Sequence, residues 1–211
     1  MSNKSGELML SELQMFNEAA VMYDTIIEPK FKEGIDKCVE NFSKTNKWLG
    51  EFKFEIDDDC WLAPKSWCAN SEETTKNSDF KATFYIDCFN DEDDVYDYWS
   101  ALFCCVAVKN GKAGFSFEVN HQHFNGKSSW NTYTKSIPAE LTNALAKLGF
   151  ENKGKGVFFL PVCLDNKKFA QGWFDYGKFD KGDDAFLPLY EAMDTLKESV
   201  PVFDKIMKGY K

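Results

Sequence analysis

The chain has 211 residues, 44% of them apolar and 16% aromatic, and its 25 basic residues, all lysine, face 34 acidic ones for a net charge of −9. A chain of this length buries roughly 70% of its unfolded surface, enough for a core without disulfides or metal, so a globally disordered chain is excluded. With no arginine the planar fork that reads phosphate and guanine is missing, and the net charge opposes phosphate neutralisation, so direct nucleic-acid binding is not expected.

From Glu7 to Ile27, apolar residues recur at Met9, Leu13, Phe16, Ala20, Tyr23 and Ile27, one face of a helix. Pro29 is expected to interrupt it, and Phe31, Ile35, Cys38 and Phe42 mark a second helix ending near Ser43. EFKFEI, residues 51–56, alternates as a half-buried strand and ends at Asp57, Asp58 and Asp59. The polar stretch 69–79 reads as a loop. KATFYIDC, 81–88, alternates again, with Ala82, Phe84, Ile86 and Cys88 on one side. ALFCCVAV, 101–108, is apolar on both faces and predicts a central strand; the pair Asn110-Gly111 then predicts a tight hairpin into AGFSFEV.

After a polar stretch at 120–136, SIPAELTNALAKLG predicts a helix with Leu141, Leu145 and Leu148 on one face and Gly149 as its stop. GVFFLPVC, 156–163, predicts a strand whose later half Pro161 confines to an edge or bulge. Asp183 or Asp184 can cap a last helix through Leu189, Met193 and Leu196, with Pro201 starting a separate short turn. The expectation is one α+β domain over 1–211: a helical segment at 1–48, a sheet region with one helix at 49–165, and C-terminal helices at 183–208. Its mainly antiparallel sheet has about five strands, with long N-terminal and C-terminal helices packed on it.

Seven cysteines, at positions 38, 60, 68, 88, 104, 105 and 163, show no CxxC and no regular spacing, which reads as reduced thiols in a cytoplasmic protein. No leader segment is apparent and no stretch reaches the ~18 apolar residues of a membrane span.

The run DCFNDEDDVYDYW, 87–99, carries six carboxylates from Asp87 to Asp97. It fails the calcium-loop pattern: counting from Asp87, position six is Glu92 rather than glycine and position twelve is Tyr98 rather than glutamate. As a helix start it does better, with Asn90 or Asp91 capping and Asp91, Glu92, Asp93 and Asp94 in the first turn, ahead of Val95, Tyr96, Trp99 and Leu102. Further acidic groups lie at 51–59 and 175–184, and a shared face would steer a basic partner.

The two histidines, His121 and His123, would point the same way on an extended strand and form a weak candidate metal pair, with Glu118 or Asp87 completing the set. The glycines and lysines around Gly149–Phe159 lack the phosphate-loop spacing. Asp57, Asp58 and Asp59 end one strand, while Asp79-Phe80-Lys81 leads into another. With the order helix, three strands, helix, strand, this is similar to the core of the restriction-endonuclease-like nucleases. That resemblance implies a metal-dependent nuclease in which Asp59 and Asp79 hold Mg²⁺ and Lys81 assists the attacking water.

The favoured expectation is a small acidic intracellular binding protein, an inhibitor, immunity or antagonist protein that mimics DNA, engaging a basic protein through Asp91, Glu92, Asp93, Asp94, Asp97, Tyr98 and Trp99 without a cofactor. Trp61, Trp67 and Trp173 stand as reserve anchors. A small-ligand or carbohydrate module built on the tryptophans is a further alternative.

Overall fold

The computed structural model describes residues 3–69, 76–90, 97–107, 110–180 and 182–210. The chain begins as an almost unbroken helical rod: α1 (Asn3–Ser11), α2 (Leu13–Met22), a π-helical turn (Tyr23–Ile27) and α3 (Glu28–Asn46). Pro29 does not end the helix. It sits in the first turn of α3, where the backbone N–H that it lacks is dispensable, and the wider π turn precedes it.

The sheet begins with β1 (Trp48–Lys53) and β2 (Asp59–Pro64), joined by α4 (Phe54–Asp57). The alternation read at 51–56 therefore holds only as far as Lys53. The Asp36 carboxylate accepts the N–H groups of Phe54 (3.0 Å) and Glu55 (3.1 Å), turning the chain into one helical turn that leaves Ile56 exposed. β3 (Ala82–Phe89) follows, then α5 (Trp99–Phe103) and β4 (Lys112–Val119). The expected strand at 101–108 is thus a correction: its first residues form a short helix, because Leu102 and Phe103 are buried within a single turn beside α3 and β4. Asn110 does take a left-handed turn (φ 60°), but the turn leads from the α5 loop into β4, whose neighbours in the sheet are β3 and β6.

A 3-10 turn (His121–Phe124), α6 (Lys127–Thr134), α7 (Ala139–Lys147), β5 (Glu151–Gly154), β6 (Val157–Pro161), α8 (Asn166–Tyr176) and α9 (Leu187–Gly209) complete the chain. Among the described residues six antiparallel strands form one sheet in the order β1-β2-β3-β4-β6-β5, so the α+β expectation holds with one strand more. Pro161 lies opposite Gly114, past the end of short β5, so no neighbour on its other side needs its N–H. Gly114 itself is fixed by crowding: an added Cβ would meet the Leu160 carbonyl oxygen at 2.1 Å.

One face of the sheet carries the core. Phe84, Phe117 and Phe158 pack against Phe203 of α9, and Trp48 stacks on Phe84 while meeting Phe42 of α3 edge-on. α9 runs straight through Pro201, which does not start a separate turn. Cys105 and Cys163 come together as a disulfide pair with Cα atoms 5.6 Å apart, which departs from the expectation of reduced thiols throughout. Among the described residues no helix is long and apolar enough to cross a membrane.

Candidate partner-binding surface

The acidic run contributes less than expected to what the structure describes. Asp91, Glu92, Asp93, Asp94 and Tyr96 lie outside the described residues. Helix α5 starts at Trp99 with Tyr98 at its N-cap, so Asn90 does not cap it, and the expected first turn at 91–94 falls outside the described residues. The carboxylate at that N-terminus is Glu28, 71 residues away, which accepts the Trp99 N–H at 2.7 Å.

Tyr98 and Trp99 are partly buried and already make contacts within their own chain. The Tyr98 hydroxyl donates to Asp24 (2.5 Å) and its ring lies 4.6 Å from that of Tyr23; Trp99 packs edge-on to Phe54 at 4.8 Å. Trp61 and Trp67 are fully buried, which removes them as anchors, and Trp173 is half-buried. The exposed aromatics are Phe174 and Tyr176 of α8, which sequence reasoning passed over.

The nuclease-like set is not assembled. Asp59 pairs with Lys53 at one end of β2, whereas Lys81 hydrogen-bonds Trp67 and Asn120 at the other end of β3, with Asp79 beside it. The two groups are about six strand positions, roughly 20 Å, apart. The histidines do not form a pair either. Asn120 accepts the Gln122 N–H (3.1 Å), so the chain leaves the strand and winds as a 3-10 turn, placing His121 and His123 in different cavities. Among the described residues no group of three or more His, Cys, Asp or Glu is placed to hold a metal.

What the fold does assemble is an acidic outer sheet face, opposite the core. Strand alternation turns Thr83, Tyr85 and Asp87 of β3 away from the core, and cross-strand register sets them beside Glu118, Ser116 and Gly114 of β4; Tyr85 faces Trp61, which faces Glu51, and of these Thr83, Ser116 and Trp61 are buried while Tyr85, Asp87, Glu118 and Glu51 reach the surface. Two of the acidic segments converge here. Asp59 of the first segment and Glu118 both act on the Tyr85 phenol, and Asp87 of the second acts on Glu118, so the described part of each segment reaches this face. The Asp180 and Glu55 carboxylates both act on Lys37, which brings the third segment to the neighbouring surface.

The electrostatics are those of crowded carboxylates. Burial and then Glu51 and Asp57 hold Asp59 above the usual carboxylate range, despite an opposing effect of Lys53. Burial and then Asp87 raise Glu118, and burial raises Asp87 and Asp36. The Tyr85 phenol is pushed up to about 12, first by burial and then by Asp59 and Glu118. Tyr85, Glu118, Thr83 and His121 line a polar cavity of about 390 Å³ at the far end of this face. Burial and the nearby Lys127 lower the His121 pKa, which favours its neutral ring. A carboxyl held up in the folded state contributes stability that is complete at low pH and lost as pH rises through its folded value. The gain therefore lies just above the ordinary carboxylate range of about 4, whereas the depressed His121 costs stability as pH falls through about 6.5 and the lowered Glu33, Glu51 and Glu151 lose theirs as pH falls through the carboxylate range. Differential scanning calorimetry at constant ionic strength is expected to show the Tm of the wild type rising relative to that of Asp59→Asn/Asp87→Asn/Glu118→Gln as pH falls toward about 4, a comparison in which those other groups cancel; a difference that stays flat would show that the raised carboxyls carry no thermodynamic weight.

The one signal that marked this face in the sequence was the alternation of KATFYIDC, which places a tyrosine and an aspartate on the side away from the core. No family model, curated protein or solved structure matches the chain.

Proposed function

We propose that the chain is a binding protein of the inhibitor, immunity or antagonist kind, which holds a basic macromolecular partner on the outer face of its sheet. The observation that carries this reading is the crowding of Asp59, Asp87 and Glu118 around Tyr85, beside a polar cavity wide enough for a side chain. Burial first, and for Asp59 and Glu118 then a neighbouring carboxylate, make the charged form costly, so a lysine or arginine from a partner supplies compensation that the free protein lacks. Tyr85 supplies a ring face beside the carboxylates, the arrangement that favours a cationic side chain over a neutral one.

The test is calorimetric titration with an oligolysine peptide at low and moderate salt. Binding is expected to weaken as salt rises, and Asp59→Asn/Asp87→Asn/Glu118→Gln is expected to lower affinity at least about tenfold while leaving the circular dichroism unchanged. An affinity untouched by the triple variant would sink the assignment. If only Asp91, Glu92, Asp93 and Asp94 mattered on substitution by asparagine or glutamine, the partner would sit on that loop instead.

A further inference from the structure

The N-terminal rod from Lys4 to Ile27 contains no buried residue, although it is rich in large apolar side chains. Two apolar stripes run along it. The first, through Met9, Leu13, Phe16, Ala20 and Tyr23, continues at Ile27 into the body and ends on the core residue Phe31. The second, through Leu8, Met15, Ala19, Met22 and Ile26, precedes the first by one residue at most steps, so the stripes lie about 100° apart and together cover nearly half the helix. Backbone bonds from Glu12 to Leu8 and from Phe16 to Glu12 carry the rod across the junction of α1 and α2.

At the base of this rod lies an apolar cavity of about 430 Å³, walled by Tyr23 and Ile27, by Ala101 and Cys104 after the start of α5, and by Phe169 and Trp173 of α8. Its surroundings are apolar and exposed as well: Phe174 is 84% accessible, Tyr176 68% and Val106 60%. Among the described residues, the body thus presents an apolar groove with no covering element, and the rod presents an apolar face with nothing to cover.

We infer that the two belong together across a two-fold dimer of this chain, in which the rods pair antiparallel and the tip of each docks in the cavity at the base of the other. Three observations converge on a second copy as the occupant. The first is geometry: antiparallel helices of equal length place each tip against its partner's base, where the groove lies, and the contact is self-complementary as a two-fold interface requires. The second is area. The two stripes expose six large apolar residues, Leu8, Met9, Leu13, Met15, Met22 and Ile26, each at least 42% accessible, and the groove adds Val106, Phe174 and Tyr176. At roughly 100 Å² apiece these supply about 900 Å² per chain, the contribution of one partner to a standard stable interface. The third is charge. The rod carries Lys4 against Glu7, Glu12, Glu18 and Asp24, while exposed Lys167 and Lys168 start α8 beside the groove and outnumber the capping Asp165 there, so an incoming tip bearing Glu7 and Glu12 meets a net positive helix start. The same acidic sign opposes docking on an anionic bilayer, for which interfacial helices carry lysine or arginine on the polar face.

This surface is separate from the outer sheet face and does not depend on it. Sedimentation velocity of the full chain at concentrations up to about 100 µM is expected to give a dimer. Met9→Glu/Leu13→Glu on the tip and Phe174→Glu at the groove are each expected to raise the dimer dissociation constant roughly 30-fold while leaving the far-ultraviolet circular dichroism unchanged, since all three side chains are exposed. Reversal of Lys167 and Lys168 to glutamate is expected to weaken the dimer, and simultaneous reversal of Glu7 and Glu12 to lysine to restore it. A wild-type chain that stays monomeric at the top of that range overturns the inference. So does a dimer that survives Phe174→Glu, or a monomer that sediments with phosphatidylserine vesicles.

Discussion

Replacing Phe203 with alanine is expected to lower the free energy of unfolding by about 3–5 kcal/mol. The ring is fully buried and stacks on Phe117 at 3.9 Å between centroids, with Phe150 at 5.4 Å, Phe84 at 5.6 Å and Phe158 at 5.7 Å around it. The Trp67 ring meets it edge-on at 6.4 Å, and the Trp67 indole N–H donates to Asp204, so α9 is tied to the sheet by the residue next to Phe203 as well. The loss exceeds simple transfer because the neighbours are themselves rigid rings on β3, β4 and β6 that cannot collapse into the space left behind. Phe203 also explains why α9 continues through Pro201, which costs a helix about 3 kcal/mol: the aromatic packing on the far side of the proline offsets it. Urea denaturation and calorimetry are expected to agree on a Tm lowered by about 6–20 °C. A loss below about 1 kcal/mol would place the centre of the core elsewhere.

The sequence was most legible where one periodicity ran undisturbed. β3 and β4 alternate between a core of aromatic rings and an outer polar face, and both strands appear where the alternation put them. α7 starts at Ala139 and stops before Gly149 (φ +92°), as its proline and glycine indicated, although Ser136 turns its hydroxyl back to Tyr133 rather than capping. Legibility failed where a distant group overrode the local pattern. Asp36 bends Phe54 and Glu55 out of the strand. Pro29 and Pro201 read as breaks, but one lies in a first helical turn and the other is held by packing that no local window contains. The apolar run after Trp99 carried no period at all, and a short run of that kind fits a buried helical turn as well as a strand. α6 was hidden in a polar stretch because its single buried residue, Trp130, joins a cluster with Phe124, Tyr133 and Tyr210 that only the fold creates.

The acidic surface was legible only in part. A lysine-only, acidic, aromatic-rich chain pointed to carboxylates; Asp59 and Asp87 do reach one sheet face, while residues 91–96 of the run lie outside the described residues. Which aromatics stay available was beyond local reading: Tyr98 and Trp99 are drawn into contacts with Asp24, Tyr23 and Phe54, whereas Tyr85 faces outward from the middle of the sheet. The second stripe of the N-terminal rod was present in the sequence from the start. It was masked by the first, since a helix apolar on one stripe is ordinary and a helix apolar on two asks for a second partner.

Glu28 is the other position at which a single substitution is expected to act strongly. Its carboxylate is 7% exposed and accepts the Trp99 N–H at 2.7 Å, the Ser100 N–H at 3.4 Å and the Ser100 hydroxyl at 2.5 Å. Ser100 has one hydroxyl proton and commits it to Glu28, so the Tyr23 hydroxyl, 2.5 Å away, donates to Ser100 in turn. Burial raises the Tyr23 pKa, which keeps that proton in place. Alanine at 28 strips the acceptor from two backbone donors and one hydroxyl at the start of α5. Each unsatisfied buried group costs about 1–3 kcal/mol, but the adjoining cavity admits water to some of them, so a total of about 3 kcal/mol is expected. Glutamine keeps one acceptor oxygen for the Trp99 N–H and loses only the bond from Ser100, so its cost is about 1–2 kcal/mol. Trp99 supplies a local reading of the same event: its half-buried ring leans on Phe54, and an emission shift to longer wavelength is expected to precede global unfolding in the alanine variant. The order alanine above glutamine is what separates capping from packing. If both variants lost nothing, α5 would be held by the burial of Leu102 and Phe103 alone, and the carboxylate of Glu28 would be a passenger at its N-terminus.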